Sequence, residues 1–233
     1  MYYKMAIINQ EKNCIANEDS NCSECDLKEY LVCRFEKSFS NKFLFGNTAY
    51  RVVALVILYL AGVLVNQFWL MPLYLGGIIL VFFILEPRLL CSHCPFYEKK
   101  GKVLKCWALR GMPKLWNYHP GPISRIEKIV MLSLGTFIDL FPIVGIVWGI
   151  LAFVINPHDN FLIGILLISL TIIFITLMVY FSKVLLGYAC LRCPNFSCAM
   201  NKVPSNIIFA FLKKNPVMKK AWKEAGRMAS YKT

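Results

Sequence analysis

The fold of this chain is decided by residues 161–186, which read FLIGILLISLTIIFITLMVYFSKVLL and contain one charged side chain, Lys183. A helix rises about 1.5 Å per residue, and about 20 apolar residues cross the roughly 30 Å of hydrocarbon in a bilayer. This segment is therefore long enough to cross a membrane with some tilt. Three further apolar stretches lie at about 52–67, 73–85 and 129–155. The sequence predicts four transmembrane helices.

The composition agrees with an integral membrane protein. Of the 233 residues, 58 % are hydrophobic and 17 % are charged, whereas soluble domains have roughly 45–50 % and about 25 %. These values exclude an ordinary soluble domain and a disordered chain. Because short connections at 68–72 and 156–160 follow the first and third spans, we predict an all-α membrane fold with two helical hairpins.

The positive charges indicate the orientation of the chain. With four spans, the segments 1–50, 88–128 and 188–233 lie on one side of the membrane. All 26 Lys and Arg residues fall in these segments or at the adjoining span ends, with Arg51 counted in the N-terminal arm. An excess of Lys and Arg marks cytoplasmic loops. We therefore predict a multi-pass protein of the cytoplasmic (inner) membrane, with both termini cytoplasmic and no signal peptide.

The spans divide the chain into five predicted segments. They are a Cys-rich cytoplasmic arm at 1–50, a first transmembrane hairpin at 51–87, a cytoplasmic loop at 88–128, a second hairpin at 129–187 and a cytoplasmic tail at 188–233. The tail contains two short basic amphipathic helices, split at Asn215-Pro216. Such helices lie on an anionic membrane surface or dock on an acidic partner. Because topology already explains the charge, we expect no nucleic-acid partner.

All ten cysteines fall in the predicted cytoplasmic segments. The arm contains Cys14, Cys22, Cys25 and Cys33, the loop contains Cys91, Cys94 and Cys106, and the tail contains Cys190, Cys193 and Cys198. The cytosol keeps thiols reduced, so short cysteine spacings there favour metal binding or redox chemistry over disulfides. A CxxC pair brings two sulfurs toward one ion, and this chain has three such pairs. We therefore predict that all ten cysteines are metal ligands.

Thiolate ligands suit both iron–sulfur clusters and zinc. Proline follows the second cysteine in Cys94-Pro95 and in Cys193-Pro194. A proline after a cluster cysteine also occurs in bacterial ferredoxins, although their full run of four closely spaced cysteines is absent here. The sequence favours iron–sulfur clusters as the cofactor, with zinc as the alternative.

The two halves of the chain share one order of elements. Each has an apolar hairpin, then CxxCP, then a later cysteine, which is Cys106 in the first half and Cys198 in the second. Both hairpins begin and end in the cytoplasm, so this internal repeat would be parallel. It would bring the six thiols of the loop and tail together and leave the four thiols of the arm as a separate site.

Asp139 is a carboxylate predicted to lie deep inside the third span. Such a group is costly in hydrocarbon unless it faces the protein interior, is protonated or is paired. The functional interpretation is a proton relay or a contact with a quinone head group. The structural alternative is a protonated carboxyl bonded to a neighbouring helix. Trp69 and Tyr74 fit an aromatic belt at the outer membrane surface.

Together these features favour a membrane redox protein that transfers electrons through cytoplasmic iron–sulfur clusters. It would act as the anchor subunit of an oxidoreductase or toward a quinone, with membrane lipid and a redox protein or complex as partners. The alternative is a zinc-stabilised membrane scaffold, and a third reading is a thiol–disulfide oxidoreductase. The sequence offers no phosphate-binding loop and no nucleophile–base constellation, so a kinase or hydrolase has no support.

Overall fold

The computed structural model describes residues 13–17, 20, 22, 24–157 and 160–228. Apart from an isolated bridge between Val103 and Pro113, the regular structure of these residues is helical. The chain forms two compact units. The cysteine unit comprises the described residues of 13–36, 87–125 and 189–228, and the helical unit comprises Lys37–Glu86 and Ile126–Tyr188.

The long helices follow the apolar stretches of the sequence. Helix α1 is Lys37–Val65, and α2 is Leu70–Ile78, which continues through a π-helix at Ile79–Leu85 into α3 at Glu86–Leu89. Helix α4 is Arg125–Ile155, and α5 is Phe161–Val184, which continues through a π-helix at Leu185–Ala189 into α6 at Cys190–Arg192. Helices α7 and α8 are Ser205–Lys214 and Pro216–Glu224.

In the part of the chain that the structure describes, four helical runs are long and apolar enough to cross a membrane. They are Lys37–Val65, Leu70–His93, Arg125–Ile155 and Phe161–Arg192. The prediction of an all-helical protein with four such helices is confirmed. The first two helices are longer than their apolar stretches because flanking residues continue the same helix. Consequently Arg51, which we had counted with the N-terminal arm, lies inside α1.

Small residues allow the helices of this unit to approach closely. A Cβ atom added to Gly149 of α4 would lie 2.7 Å from the Leu167 side chain of α5 and 3.0 Å from Cβ of Ala61 in α1. At Gly145 the same addition would meet the side chain of Leu58. Helices in membranes associate largely through such close packing. The two glycines therefore set where α4 meets α1 and α5.

The tail helices contribute to the core of the cysteine unit. The residues that α7 and α8 bury most completely are Phe211, Leu212, Met218 and Trp222, each 0–2 % exposed. The ring of Phe196 packs edge-on against Phe211 and Trp222, with centroids 5.1 Å and 6.4 Å apart. The predicted break at Asn215-Pro216 is present, and the apolar faces of both helices are buried inside the unit. Their lysines remain on the exposed face.

Candidate metal centres

The cysteine unit contains all ten cysteines. Three segments that are far apart in the sequence fold into this one unit, and each contributes cysteines to it. None of these ten cysteines, all of which the structure describes, forms a disulfide. The structure divides them into an arm group, Cys14, Cys22, Cys25 and Cys33, and a motif group, Cys91, Cys94, Cys106, Cys190, Cys193 and Cys198.

The four cysteines of the arm group line one cavity of about 890 Å³. Residues of the arm form most of its wall, and the end of α7 with the start of α8 supplies Phe211, Lys213, Lys214 and Pro216. Three arm side chains anchor this wall in the core: Ile15, Leu27 and Leu31 are 2–5 % exposed. The apolar anchors hold the irregular arm segment in place, and the cysteines between them face a common space.

Asn215 fixes the position of Cys14. Its Oδ1 accepts a hydrogen bond of 2.6 Å from the Cys14 backbone N–H, and its Nδ2 donates one of 2.7 Å to the Phe211 carbonyl. Asn215 is fully buried, so both bonds are shielded from water. Sequence analysis read this residue only as a helix break. Its position between two helices with apolar faces was the one signal in the sequence for its burial.

The thiols of the arm group are close enough to influence one another electrostatically. Burial raises the pKa of Cys33 to about 12, with smaller contributions from the other three cysteines of the group. Burial likewise raises the pKa of Cys14, and Cys22 and Cys25 contribute in the same direction. Lys214 lies 3.9 Å from the Cys25 sulfur and 3.5 Å from the Asp26 carboxylate. Thiols grouped in this way become soft ligands for zinc or iron once they lose their protons.

The two CxxCP motifs lie side by side. Nδ2 of Asn195, just after the second motif, donates a 3.0 Å hydrogen bond to the carbonyl of Leu90, just before the first. Burial raises the pKa of Cys193 well above its ordinary value, and the next contribution comes from Cys94. Two cysteines that are far apart in sequence therefore lie within electrostatic range of each other. This arrangement agrees with the prediction that the two motifs lie close together.

Cys94 lies among several cysteines of the motif group. Burial raises the pKa of its thiol, and the neighbouring thiols of Cys106 and Cys198 raise it further. Cys91 lies one turn earlier, where its carbonyl accepts a 2.9 Å hydrogen bond from the Cys94 N–H. The sulfur of Cys106 accepts a 3.2 Å hydrogen bond from the Leu109 backbone N–H. Backbone donors of this kind stabilise sulfur ligands and tune clusters.

The two motifs share a local backbone conformation. In each, the first cysteine begins a short helical turn, at Cys91–His93 and at Cys190–Arg192. The second cysteine is extended, with φ −83° and ψ 135° at Cys94 and φ −75° and ψ 124° at Cys193. A residue before proline is restricted to this region. The proline therefore ends each turn and orients the second cysteine in the same way.

The arm group and the motif group are adjacent. The backbone N–H of Val32 donates a 2.9 Å hydrogen bond to the carbonyl of Arg192. These residues immediately precede Cys33 and Cys193. Standard backbone dimensions then place the Cα atoms of Cys33 and Cys193 within about 11 Å of each other.

Among the described residues, which include every cysteine, no three His, Cys, Asp or Glu side chains already converge tightly enough to hold a metal ion. The raised pKa values of the buried thiols are consistent with this, because neutral thiols have no cation to draw them together. Ligand thiols must lose their protons when metal binds, and binding supplies the free energy that closes the site. The structure groups the predicted ligands without closing them around an ion.

Asp139 lies in the helical unit and is paired. Its Oδ1 accepts hydrogen bonds of 3.0 Å from Nη2 of Arg51 and 3.0 Å from the Tyr50 hydroxyl, both in α1. Arg51 also donates to Asn47, at 3.1 Å, and its guanidinium lies 4.1 Å from the ring centre of Phe82. The carboxylate therefore links α4 to α1 through an ion pair. Pairing was one of three alternatives that the sequence left open for Asp139, and Arg51 had been counted outside the span.

No protein-family model, curated protein or solved structure matches this chain.

Proposed function

We propose that this chain is a membrane-anchored electron-transfer protein whose cysteine unit holds iron–sulfur clusters at the cytoplasmic surface. One observation supports this proposal most strongly. Four arm cysteines line one cavity, while the two CxxCP motifs lie side by side next to them. Two adjacent thiol groups in a reducing compartment are a donor set for two neighbouring redox centres.

The arm centre would be held by Cys14, Cys22, Cys25 and Cys33. A single zinc ion draws four sulfurs to about 2.3 Å and fills the space between them. The cavity of about 890 Å³ is far larger than that and falls within the roughly 300–1,000 Å³ range of small-ligand sites. The cavity therefore has room for a cluster or for a zinc ion, and the preference for a cluster rests on the two CxxCP motifs.

The motif centre would use the six cysteines of the motif group, around one shared cluster or two neighbouring ones. A bound cluster would supply one-electron chemistry. The six cysteines would hold it, and the Leu109 backbone N–H would donate a hydrogen bond to the Cys106 sulfur. Trp107, which is 6 % exposed, would help to exclude water. Burial and hydrogen bonds to sulfur are the main ways in which a protein sets the reduction potential of such a cluster.

The membrane anchor in this proposal consists of two hairpins related by a parallel repeat. The matching order supports the repeat, because in each half an apolar helix continues through a π-helix toward a CxxCP motif whose first cysteine begins a short helical turn. The concentration of basic residues supports cytoplasmic termini in the inner membrane. The cysteine unit would then stand at the cytoplasmic surface.

The redox partner would be an acidic protein that docks on the lysines of α7 and α8. Lys213 and Lys214 line the cavity of the arm group, and Lys219, Lys220 and Lys223 continue the exposed face along α8. A patch of one charge beside a redox centre steers an oppositely charged partner to it. The chain would then serve as the anchor subunit of a larger oxidoreductase or pass electrons toward a quinone.

The test is absorption and EPR spectroscopy of full-length protein purified without oxygen, before and after reduction with dithionite. The proposal predicts broad visible absorption that bleaches on reduction and a cluster EPR signal that appears with it. Cys193→Ser should lose part of the visible absorption and part of the EPR signal. The control is Asn206→Ala, because Asn206 is an exposed residue of α7, and this variant should keep both signals in full. A colourless protein with stoichiometric zinc would instead support the scaffold. Active, metal-free protein would leave thiol–disulfide exchange as the explanation.

A further inference from the structure

The ion pair between Arg51 and Asp139 belongs to a larger polar cluster inside the helical unit. The hydroxyl of Tyr74 in α2 and the carboxyl of Glu86 in α3 both lie within electrostatic range of Arg51 and Asp139. Three spans, namely α1, the continuous run from α2 to α3, and α4, therefore contribute polar or charged groups to one place. Ionisable groups inside a membrane bundle mark functional sites more often than not.

Two hydrogen-bond donors of this cluster lack an acceptor. Nη1 of Arg51 and the hydroxyl of Tyr74 are buried and have no hydrogen-bond partner in the part of the chain that the structure describes. The Arg51 side chain is 10 % exposed, and Tyr74 is 1 % exposed. Leaving a buried donor unpaired costs roughly the full desolvation of that group. The two groups lie close to each other, so both are placed to bind one acceptor atom that the described residues do not supply.

The cluster is accessible beside Asp139. The Asp139 side chain is 40 % exposed, and its neighbours on α4, Leu140 and Ile143, are exposed apolar residues of a membrane span. A ligand could therefore enter from the lipid side. The walls near the two donors are aromatic, because the Tyr74 ring stacks on Phe141 at 5.8 Å and Phe82 faces Arg51.

The charges of the cluster favour a neutral ligand. The Arg51 guanidinium pairs with Asp139, and the Glu86 carboxyl lies within electrostatic range of both, so a phosphate or another anion would meet repulsion as well as attraction. A lipid-soluble aromatic-like ring with carbonyl oxygens satisfies every requirement. Its oxygen accepts from Arg51 and Tyr74, its ring packs on the aromatic walls, and its tail lies among the lipids.

We propose that Arg51 and Tyr74 form the head-group site for a membrane quinone. The choice of a quinone among neutral carbonyl compounds rests on the proposed redox function. The observation that Arg51 and Tyr74 have donors without a partner does not depend on that function. Tyr74 had been assigned to an aromatic belt from the sequence, but its burial places it in this cluster instead.

The test uses the full-length protein in lipid nanodiscs and follows helix unfolding by circular dichroism with increasing ubiquinone-1. A ligand that binds only the folded protein raises Tm with concentration. Tyr74→Phe removes the hydroxyl and retains the ring that stacks on Phe141. We expect it to weaken the apparent affinity for ubiquinone-1 about fivefold to tenfold, the effect of one lost hydrogen bond. Without quinone, its Tm should equal or exceed that of the wild type, because an unpaired buried group has been removed.

The matched control is Tyr59→Phe, since Tyr59 lies on α1 and is 50 % exposed. This variant should respond to ubiquinone-1 like the wild type. Equal responses in Tyr74→Phe and wild type, or no response in the wild type, would overturn the site. A rise in Tm with phosphate but not with quinone would do the same. Repeating the titration with Cys193→Ser separates the two proposals, because quinone binding should survive loss of the motif centre.

Discussion

At the scale of single residues, Asn215 shows how one buried amide holds a loop in place. The arm around Cys14 has little regular structure, and one of its attachments to α7 and α8 is the pair of hydrogen bonds that Asn215 makes. A second attachment is the 2.8 Å hydrogen bond from the Asn13 backbone N–H to the Glu98 carboxylate. The bonds of Cys14 with Asn215 and of Asn13 with Glu98 connect the arm to distant parts of the cysteine unit.

Asn215→Ala should loosen the arm and lower metal content in the arm centre. The change leaves the Cys14 N–H and the Phe211 carbonyl without their partner, which costs about 1–3 kcal/mol for each buried unpaired group. We expect faster tryptic cleavage at Lys28, measured by limited proteolysis and mass spectrometry. Asn206→Ala, in the same tail but exposed, is the control and should cleave like the wild type. Equal cleavage in both variants would show that Asn215 does not hold the arm.

The residues that sequence reasoning identified are those whose signal is local. CxxC spacing and the cost of a carboxylate in a membrane can be read within one segment, so the cysteines and Asp139 were named. Arg51, Tyr74 and Asn215 matter because of partners on other elements. Nothing in the neighbouring sequence indicates that Arg51 would pair with a residue 88 positions away.

At the scale of elements, hydrophobic length predicted the four helices but not their ends. The apolar run of the first span begins near Val52, yet α1 begins at Lys37. The added turns are held by packing: Phe43 lies 5.2 Å from Phe181 of α5, and Tyr50 lies 5.3 Å from the same ring. Tertiary contacts of this kind extend a helix beyond its apolar core and cannot be counted from hydropathy.

Gly149→Ala should destabilise the helical unit. Its new Cβ would lie 3.0 Å from Cβ and 3.1 Å from Cα of Ala61, and backbone cannot move aside cheaply. Overpacking of this kind typically costs about 1–3 kcal/mol, seen as a lower Tm in nanodiscs. Gly135→Ala on the same helix has open space around the new atom and should leave Tm unchanged or raise it slightly. The packing account is wrong if the two variants behave alike.

The proposed orientation predicts which thiols an impermeant maleimide can reach on intact cells. The native cysteines should remain unlabelled from outside, because the proposed orientation puts their segments in the cytoplasm. A cysteine introduced as Asn160→Cys, between α4 and α5, should be labelled. After permeabilisation the native cysteines should react as well. Strong external labelling of Cys22 would reverse the topology.

At the scale of the whole molecule, three distant segments build one cysteine unit. The repeated CxxCP order predicted that the loop and tail motifs meet, and the hydrogen bond between Asn195 and Leu90 joins them. The sequence did not predict that the arm would lie beside them or that α7 and α8 would close its cavity. Those features depend on buried apolar contacts such as Phe196 with Phe211, which carry no short-range pattern.

The two centres should be separable by mutation. Cys25→Ser removes a wall residue of the arm cavity and should lose only the arm centre, with the arm becoming protease-sensitive, because metal binding there supplies folding free energy. Cys193→Ser should lose the motif centre and leave the arm protected. Iron per chain and EPR spectra measured in parallel would check this. Loss of all iron in either single variant would indicate one shared centre.

The most direct test of the central claim is the amount of iron, acid-labile sulfide and zinc per chain in full-length protein purified anaerobically. The account predicts iron and sulfide in equal amounts, with zinc well below one ion per chain. It also predicts that the iron and the sulfide per chain are lower in Cys25→Ser and in Cys193→Ser. Both iron and sulfide should be absent from the double variant. Stoichiometric zinc without sulfide, or a folded wild-type chain with neither metal, would contradict it.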